Sequence, residues 1–360
     1  MNNRLYVTFW LLLCCVSLSG IHARQWNFRI MEYNVENLFD TLHASGKLDT
    51  DFTPEGSHHW TSARYWAKLG RLARVIAAVG GATPPDLVAL EEVENDSVLT
   101  HLTRRTHLAM LGYDYVITRS ADARGINVAL LYQPARFRPV SVDTFRVVPL
   151  HSRLPVTRDV LHVAGELPLG DTLDIFVCHL PSRRNGRQAE QYRNRVCRLV
   201  RQKADSLCAV RQKPSIVLTG DFNAMYPEKC FTDCLGASLP DTAVSVRHQL
   251  YLLSNALQGR QGIAGTYKYR GEWNRLDHML VNGRLLSPSA WEGGLRCSPS
   301  DCCIADFDFL LRADTSGMGV QPFSTFLGTF YAGGYSDHLP LVLTLHWADR
   351  RCVLASCWSY

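Results

Sequence analysis

Two periodicities run through this chain. Short apolar runs at Phe28–Val35, Leu87–Leu90, Val128–Tyr132, Leu173–Cys178, Ile216–Leu218, Asp277–Val281 and Leu339–Leu345 predict β-strands. Between them, Trp66, Leu69, Leu72, Val75, Ile76 and Val79 recur at helical spacing behind a Thr61–Ser62 start, and Gly80–Gly81 stops that helix. Tyr192, Val196, Leu199, Val200 and Leu207 form the apolar stripe of a second helix, long and basic. Strands and helices alternate, some strands are neighbours, and no Pro/Gly/Ser-rich linker divides them. This pattern predicts one α/β domain with helices outside buried sheet layers. Residues 284–334 are the least regular stretch.

The ends read differently. Leu5–Leu18 is an unbroken run of low polarity behind Arg4, too short to span a bilayer comfortably but suited to a secretory leader. Small residues at Ser19, Gly20 and Ala23 place cleavage near Ala23 and make the protein an exported one, periplasmic or secreted. A membrane anchor is the competing reading. The expected layout is a leader over 1–23, a catalytic domain over 24–347 and a tail over 348–360.

Composition excludes disordered and collagen-like chains, since 46% of residues are apolar and neither Gly nor Pro is in excess. A net charge of +5, from 38 basic and 33 acidic residues, is too mild to mark a nucleic-acid binder by itself. Of the twelve cysteines, Cys14 and Cys15 fall in the leader, and the other ten permit disulfides in an exported protein. Cys230 with Cys234, and Cys352 with Cys357, are candidate local bridges, whereas Cys178 reads as a buried small hydrophobe. No paired C-x-x-C spacing marks a zinc site.

The candidate chemistry lies at strand ends. Asn34 closes one strand, Glu91–Glu92 a second, His179 a third and Asp221-Phe222-Asn223 a fourth, while Asp337–His338 precede the last. Taken singly, each has an ordinary explanation as a solvated strand end or a turn. Strands converging on one edge would gather them where a rigid scaffold carries chemistry. Glu92, Asp337 and the Asn34 amide oxygen suit a hard cation such as Mg²⁺. Asp221 and the two histidines are acid–base candidates, Asn223 a donor to phosphate oxygens and Asp277 an orienter of an imidazole.

In order, Glu32-Tyr33-Asn34-Val35-Glu36-Asn37, Leu90-Glu91-Glu92, His179-Leu180-Pro181-Ser182, Gly220-Asp221-Phe222-Asn223, Arg275-Leu276-Asp277 and Ser336-Asp337-His338 resemble the motifs of the endonuclease/exonuclease/phosphatase family. That family includes deoxyribonucleases, abasic-site endonucleases, inositol polyphosphate 5-phosphatases and neutral sphingomyelinases. The resemblance spans roughly 26–346 and implies a four-layer α/β sandwich, two packed, mostly antiparallel sheets flanked by helices. It implies Glu92 as principal Mg²⁺ ligand (Mn²⁺ in the same role), with Asn34 beside it and Asp337 as second carboxylate. It further implies Asp221 and Asn223 for nucleophile activation and phosphate binding, a His338–Asp277 pair, and His179 at the phosphate or leaving group. Whether His338 or Asp221 is the general base stays open.

The sequence also departs from that pattern. Glu91 stands where many members carry Gln, and an acidic partner for His179 is missing, with Asn127 the candidate for its place. Arg183, Arg184 and Arg158 are candidate substrate contacts, the first two equally readable as a solvated turn. Tyr267 and Trp273 either line a substrate cleft or pack a hairpin around Arg270–Gly271, with packing the favoured reading. The expected activity is metal-assisted hydrolysis of phosphodiesters, nucleic acid favoured over a lipid or inositol-phosphate headgroup. An inactive binding protein on the same scaffold is the reading from another class.

Overall fold

The computed structural model describes residues 26–149, 156–240, 245–286, 294–315 and 317–348. The leader, its cleavage site, the tail from residue 349 and the Cys352–Cys357 pair lie outside the described residues.

The chain enters as β1 (Asn27–Leu38), and helix α1 (Ser62–Gly80) leads to β2 (Leu87–Val93), parallel to β1. Thr61 caps α1 by accepting from the Arg64 amide, as the sequence pattern anticipates. After α2 (Asp96–Arg105), β3 (Asp114–Ile117) and β4 (Asn127–Tyr132) complete the first half. A second sheet follows with β5 (Arg138–Phe145), β6 (Val160–Glu166), β7 (Thr172–His179), helix α3 (Gly186–Val210), β8 (Ile216–Asp221) and β9 (Leu250–Leu252).

The hairpin of β10 (Tyr267–Tyr269) and β11 (Glu272–Asn274) leads into β12 (Asp277–Asn282), the second sheet's remaining strand. Short strands β13 (Gly294–Arg296) and β14 (Cys302–Ile304) add to the first sheet. Two small pairs follow, β15 (Leu311–Ala313) with β16 (Val320–Pro322) and β17 (Phe326–Leu327) with β18 (Phe330–Tyr331). Finally β19 (Leu341–Ala348) lies antiparallel to β1.

The sheet orders are β13-β19-β1-β2-β4-β3, with β14 also on β19, and β5-β6-β7-β8-β12-β9. Each sheet contains one parallel pair, β1–β2 or β7–β8, and antiparallel partners elsewhere. Side-chain alternation explains the layers. Ile175, Val177, Val217, Met279 and Val281 point into the core between the sheets, while Phe176, Cys178, Leu218 and Leu280 meet Tyr192, Val196 and Val200 of α3. The expected four-layer sandwich is the observed one.

β3, β5 and β6 were invisible to the apolar-run criterion. β5 is largely exposed and β3 half-buried, so neither needs a continuous apolar sequence. The expected Cys230–Cys234 bridge is not formed: every cysteine among the described residues is unpaired. Cys230 and Cys234 lie on a π-type turn, Cys230–Leu235, and both pack into the core beneath α3. Cys178 is the buried hydrophobe it was read to be.

Candidate active site

The alternation that fills the core also ends in the site. In the second sheet the inward series of β7 and β8 finish at His179 and Asp221, and that of β12 begins at Asp277. Register places His179 beside Asp221 and Asp221 beside Asp277, three polar groups at one level on adjacent strands. In the first sheet Glu32 and Asn34 share the inward face of β1, and Asn34 pairs in register with Glu91. Continued alternation would send Glu92 to the opposite face. Instead the ladder bulges there and Glu92 takes φ 63°, turning its carboxylate toward the site. A left-handed non-glycine residue costs about 1–2 kcal/mol, and Glu36, Asn37 and Asn223 around the same edge share that conformation.

Hydrogen bonds fix the buried groups. His338 Nδ1 lies 2.7 Å from Asp277 Oδ2, which also accepts from the Thr266 hydroxyl. Asp221 Oδ1 accepts from the Asn223 amide at 2.8 Å, and its Oδ2 accepts from Asn223 Nδ2 at 2.9 Å and Asn34 Nδ2 at 3.2 Å. Asn223 Nδ2 also reaches the Leu180 carbonyl at 3.1 Å. His179 Nε2 stands 3.6 Å from Asp221 Oδ2 and 3.8 Å from Glu92 Oε1. Ligand atoms of Asp221, Asp277 and His338 all fall within 4.8 Å of one another.

Charge crowding shifts the titrations. Burial and the Asp277 carboxylate push Asp221 up to about 7. Burial alone would lower His338, but the carboxylates of Asp277, Asp337 and Asp221 carry it well above the ordinary histidine value. His179 is driven well below that value by burial and by Arg158 and Arg124. Beneath this layer Glu32 and Glu91 are fully buried, and their carboxyls hydrogen-bond to each other. Burial raises both well above the ordinary carboxylate range. The unusual Glu91 therefore faces the core, not the mouth.

Other groups hold the rim. Ser336 donates to the Asn34 carbonyl at 2.6 Å, tying the Asp337–His338 segment to β1. Lys68 of α1 is buried and donates to the carbonyls of Glu36 and Tyr335 and to the Thr325 hydroxyl. The Glu36 carboxylate accepts from the Thr325 and Phe326 amides. Sequence reasoning missed Lys68, because a lysine inside an apolar helical stripe reads as an interruption. One expectation is corrected. Asn127 accepts from the Ser120 amide and donates to the Glu94 carbonyl, so it shapes a loop and does not partner His179. Tyr267 does more than pack its hairpin, since its ring lies 4.9 Å from that of His338. Arg183 is engaged by Glu228 at 3.1 Å. Arg184 is exposed and its charge is felt at Tyr267, while buried Arg158 donates to the Leu180 carbonyl at 2.7 Å. Trp273 stays a packing residue under Lys268.

A model of the endonuclease/exonuclease/phosphatase family matches residues 29–347. None of the curated proteins matches the chain. A D. rerio TDP2 humanised by 14 mutations superposes with a TM-score of 0.53 at 16% identity, over 89% of this chain and 98% of that one. D. rerio TDP2 complexed with single strand DNA product gives the same score and identity, over 89% and 98%. An endonuclease/exonuclease/phosphatase family protein from Bacteroides thetaiotaomicron gives 0.54 at 15% identity, over 90% and 99%. The human Nocturnin catalytic domain with bound sulfate anion gives 0.51 at 17% identity, over 90% and 98%. At these identities the likeness is one of fold.

Proposed function

The chain belongs to the endonuclease/exonuclease/phosphatase family, and from that premise we propose a metal-dependent phosphodiesterase acting on nucleic acid. The observation that carries this reading is the row His179–Asp221–Asp277 on adjacent strands, faced by Asn34, Glu92 and His338 from the other sheet. Members of the family are metal-dependent phosphoesterases, and the donors here suit a hard cation. Glu92 Oε2 is taken by the Asn37 amide at 2.9 Å, whereas Oε1 has His179 and Arg124 near it among the described residues, at 3.8 and 3.9 Å. Asn34 Oδ1 accepts from the Glu36 amide and retains a lone pair. Together with the Asp337 carboxylate these oxygens would hold Mg²⁺ or Mn²⁺ amid an excess of buried negative charge. When bound, the ion supplies polarisation of a phosphoryl oxygen.

The protein's own groups supply the rest. Asp221, both oxygens oriented by asparagine donors, takes the proton of the attacking water. His338, its Nδ1 committed to Asp277, presents Nε2–H to a phosphoryl oxygen as charge accumulates there. Asn223 positions both Asp221 and the Leu180 turn, and His179, kept neutral, meets the phosphate or leaving oxygen. Asp221 is the base in this reading. Nucleic acid is favoured because a DNA product is bound to a protein of this fold and because Arg184 and Arg158 flank the site. The leader expected over 1–23 would send the enzyme out of the cell. Among the described residues no helix is long and apolar enough to cross a membrane.

The test is hydrolysis of a chromogenic phosphodiester with Mg²⁺, with chelator and by His338→Ala, followed by DNA, RNA, sphingomyelin and phosphoinositides. Chelator and substitution are each expected to abolish turnover, with DNA or RNA the best substrate. Equal rates in all three conditions would refute the reading. Preference for sphingomyelin or a phosphoinositide would transfer it to headgroup esters.

A further inference from the structure

Arg124 is a residue that no motif singles out. It lies in the loop between β3 and β4, which is built with unusual firmness for a surface turn. Asp122 closes the turn by accepting from the Arg124 amide at 2.9 Å, and the Gly125 amide returns to the Asp122 carbonyl at 3.1 Å. Gly125 sits at φ 85°, where a side chain would be strained and would press on Lys47. From outside, Lys47 Nζ binds the Asp122 carbonyl and the Leu48 amide binds the Ala123 carbonyl, each at 2.8 Å. From inside, buried Arg158 stands 3.4 Å from the Asp122 carboxylate. The base of Arg124 is therefore held from both sides.

Its tip is not. Among the described residues the Arg124 guanidinium makes no hydrogen bond within the chain. Its contacts are long ion pairs, 3.9 Å to Glu92 Oε1 and 3.9 Å to Asp122 Oδ1, and 43% of the side chain is exposed. Structural arginines here behave otherwise. Arg29 spends its donors on carbonyls, and Arg136 on Asp86. Two guanidiniums, Arg124 and Arg158, thus share the one carboxylate of Asp122. The Arg124 guanidinium faces the same Glu92 oxygen that His179 approaches, and both arginines help hold His179 neutral.

A free guanidinium beside a carboxylate meant for a divalent cation works against cation binding, unless an anion joins the two. A phosphoryl group would join them, with one oxygen toward the cation and another on the fork of Arg124. We propose that Arg124 is a phosphate-binding catalytic residue. It contacts a non-bridging oxygen of the scissile group from the Glu92 side, and neutralises charge that develops during water attack. The inference rests on the phosphoesterase reading for its catalytic part, but the anion site can be measured without turnover.

Inorganic phosphate is titrated calorimetrically into the full chain with Mg²⁺ present, for wild type, Arg124→Ala and Arg124→Lys, and Mg²⁺ is titrated separately without phosphate. Phosphate affinity is expected to fall about tenfold or more in the alanine variant and to recover in part with lysine, while Mg²⁺ affinity stays equal or tightens. On the chromogenic diester, Arg124→Ala is expected to lower kcat/KM about 100-fold. Phosphate affinity within twofold of wild type in the alanine variant would overturn the proposal. So would a parallel loss of Mg²⁺ affinity, which would make Arg124 a support for Glu92. If wild type hydrolyses nothing on the panel while phosphate binding still depends on Arg124, the phosphodiesterase reading falls and the anion site stands.

Discussion

The two sheets contribute unlike halves to one site. The first sheet's half is open and strained: Glu92 and Asp337 are 14% and 39% exposed, and Glu92 reaches the mouth through a bulge at positive φ. The second sheet's half is sealed: Asp221 and Asp277 are 3% and 0% exposed, on regular strands in unbroken register. The difference follows from the tasks. Groups that must take up a cation and shed its water need access, and they tolerate loose geometry. Groups that hold and pass protons gain from low dielectric, as at Asp221, which burial raises to about 7.

The largest expected effect separates these tasks. Glu92→Gln and Asp277→Asn are each expected to lower kcat/KM on the chromogenic diester about 10³-fold. Raising Mg²⁺ into the tens of millimolar should restore much of the Glu92→Gln activity, because that variant fails in cation binding. The same addition should leave Asp277→Asn unchanged, because its imidazole has lost its orienting acceptor. Equal rescue, or none in either, would erase the distinction between the halves.

The next effect bears on the sealed half alone. At Gly220, φ is 130° and a Cβ would stand 1.9 Å from the Cys178 carbonyl, so the parallel strands β7 and β8 meet there without room for a side chain. Gly220→Ala should cost at least about 3 kcal/mol in urea unfolding and displace His179 from Asp221. A smaller cost is expected at the seam of the open half. Lys68→Met strips three buried oxygens of their shared donor and should destabilise by about 2 kcal/mol, again by urea unfolding. Its activity loss should respond to Mg²⁺, as with Glu92→Gln, because the Asp337 segment loosens. A Lys68→Met protein of wild-type stability would show that the seam is held elsewhere.

How far each half was legible follows from the same contrast. The sealed half is written locally: Ile175–Val177–His179 and Val217–Thr219–Asp221 are alternating series whose last inward member is the functional one. The open half is written non-locally. Alternation along Leu87–Val93 assigns Glu91, not Glu92, to the inward face; residue chemistry and the motif resemblance point to Glu92, but the bulge that turns it inward has no local signal. Lys68 and Thr325 answer to partners far away in sequence, and so does the tip of Arg124 at Glu92, so no window around them carries that signal. Tyr267 lies in the hairpin as expected, yet the tilted contact of its ring with His338 depends on how that hairpin docks. Cys230 and Cys234 misled because their spacing is local while their packing under α3 is not.

The smallest effect lies on the outer face of the sealed half. His278 is the outward neighbour of Asp277, fully buried, with Nε2 donating to the Ala224 carbonyl and Nδ1 accepting from Ser254, each at 2.9 Å. Burial lowers its pKa to about 4. Between that value and the unfolded histidine value of about 6.5, the unfolded chain binds the extra proton and the native one does not. Stability from this group is therefore full above the unfolded value and declines as pH falls through the window. From pH 7 to 5.5 the loss is about 1 kcal/mol. His278→Asn removes the titration, so its stability, lower throughout, should fall about 1 kcal/mol less than wild type over that interval in paired urea titrations. Buried carboxyls such as Glu94, raised to about 7 by burial, slope the other way, but they are common to both proteins and cancel in the difference. Parallel pH profiles for the two proteins would mean that this face admits the proton, and that the second sheet is less sealed than its first-sheet counterpart requires.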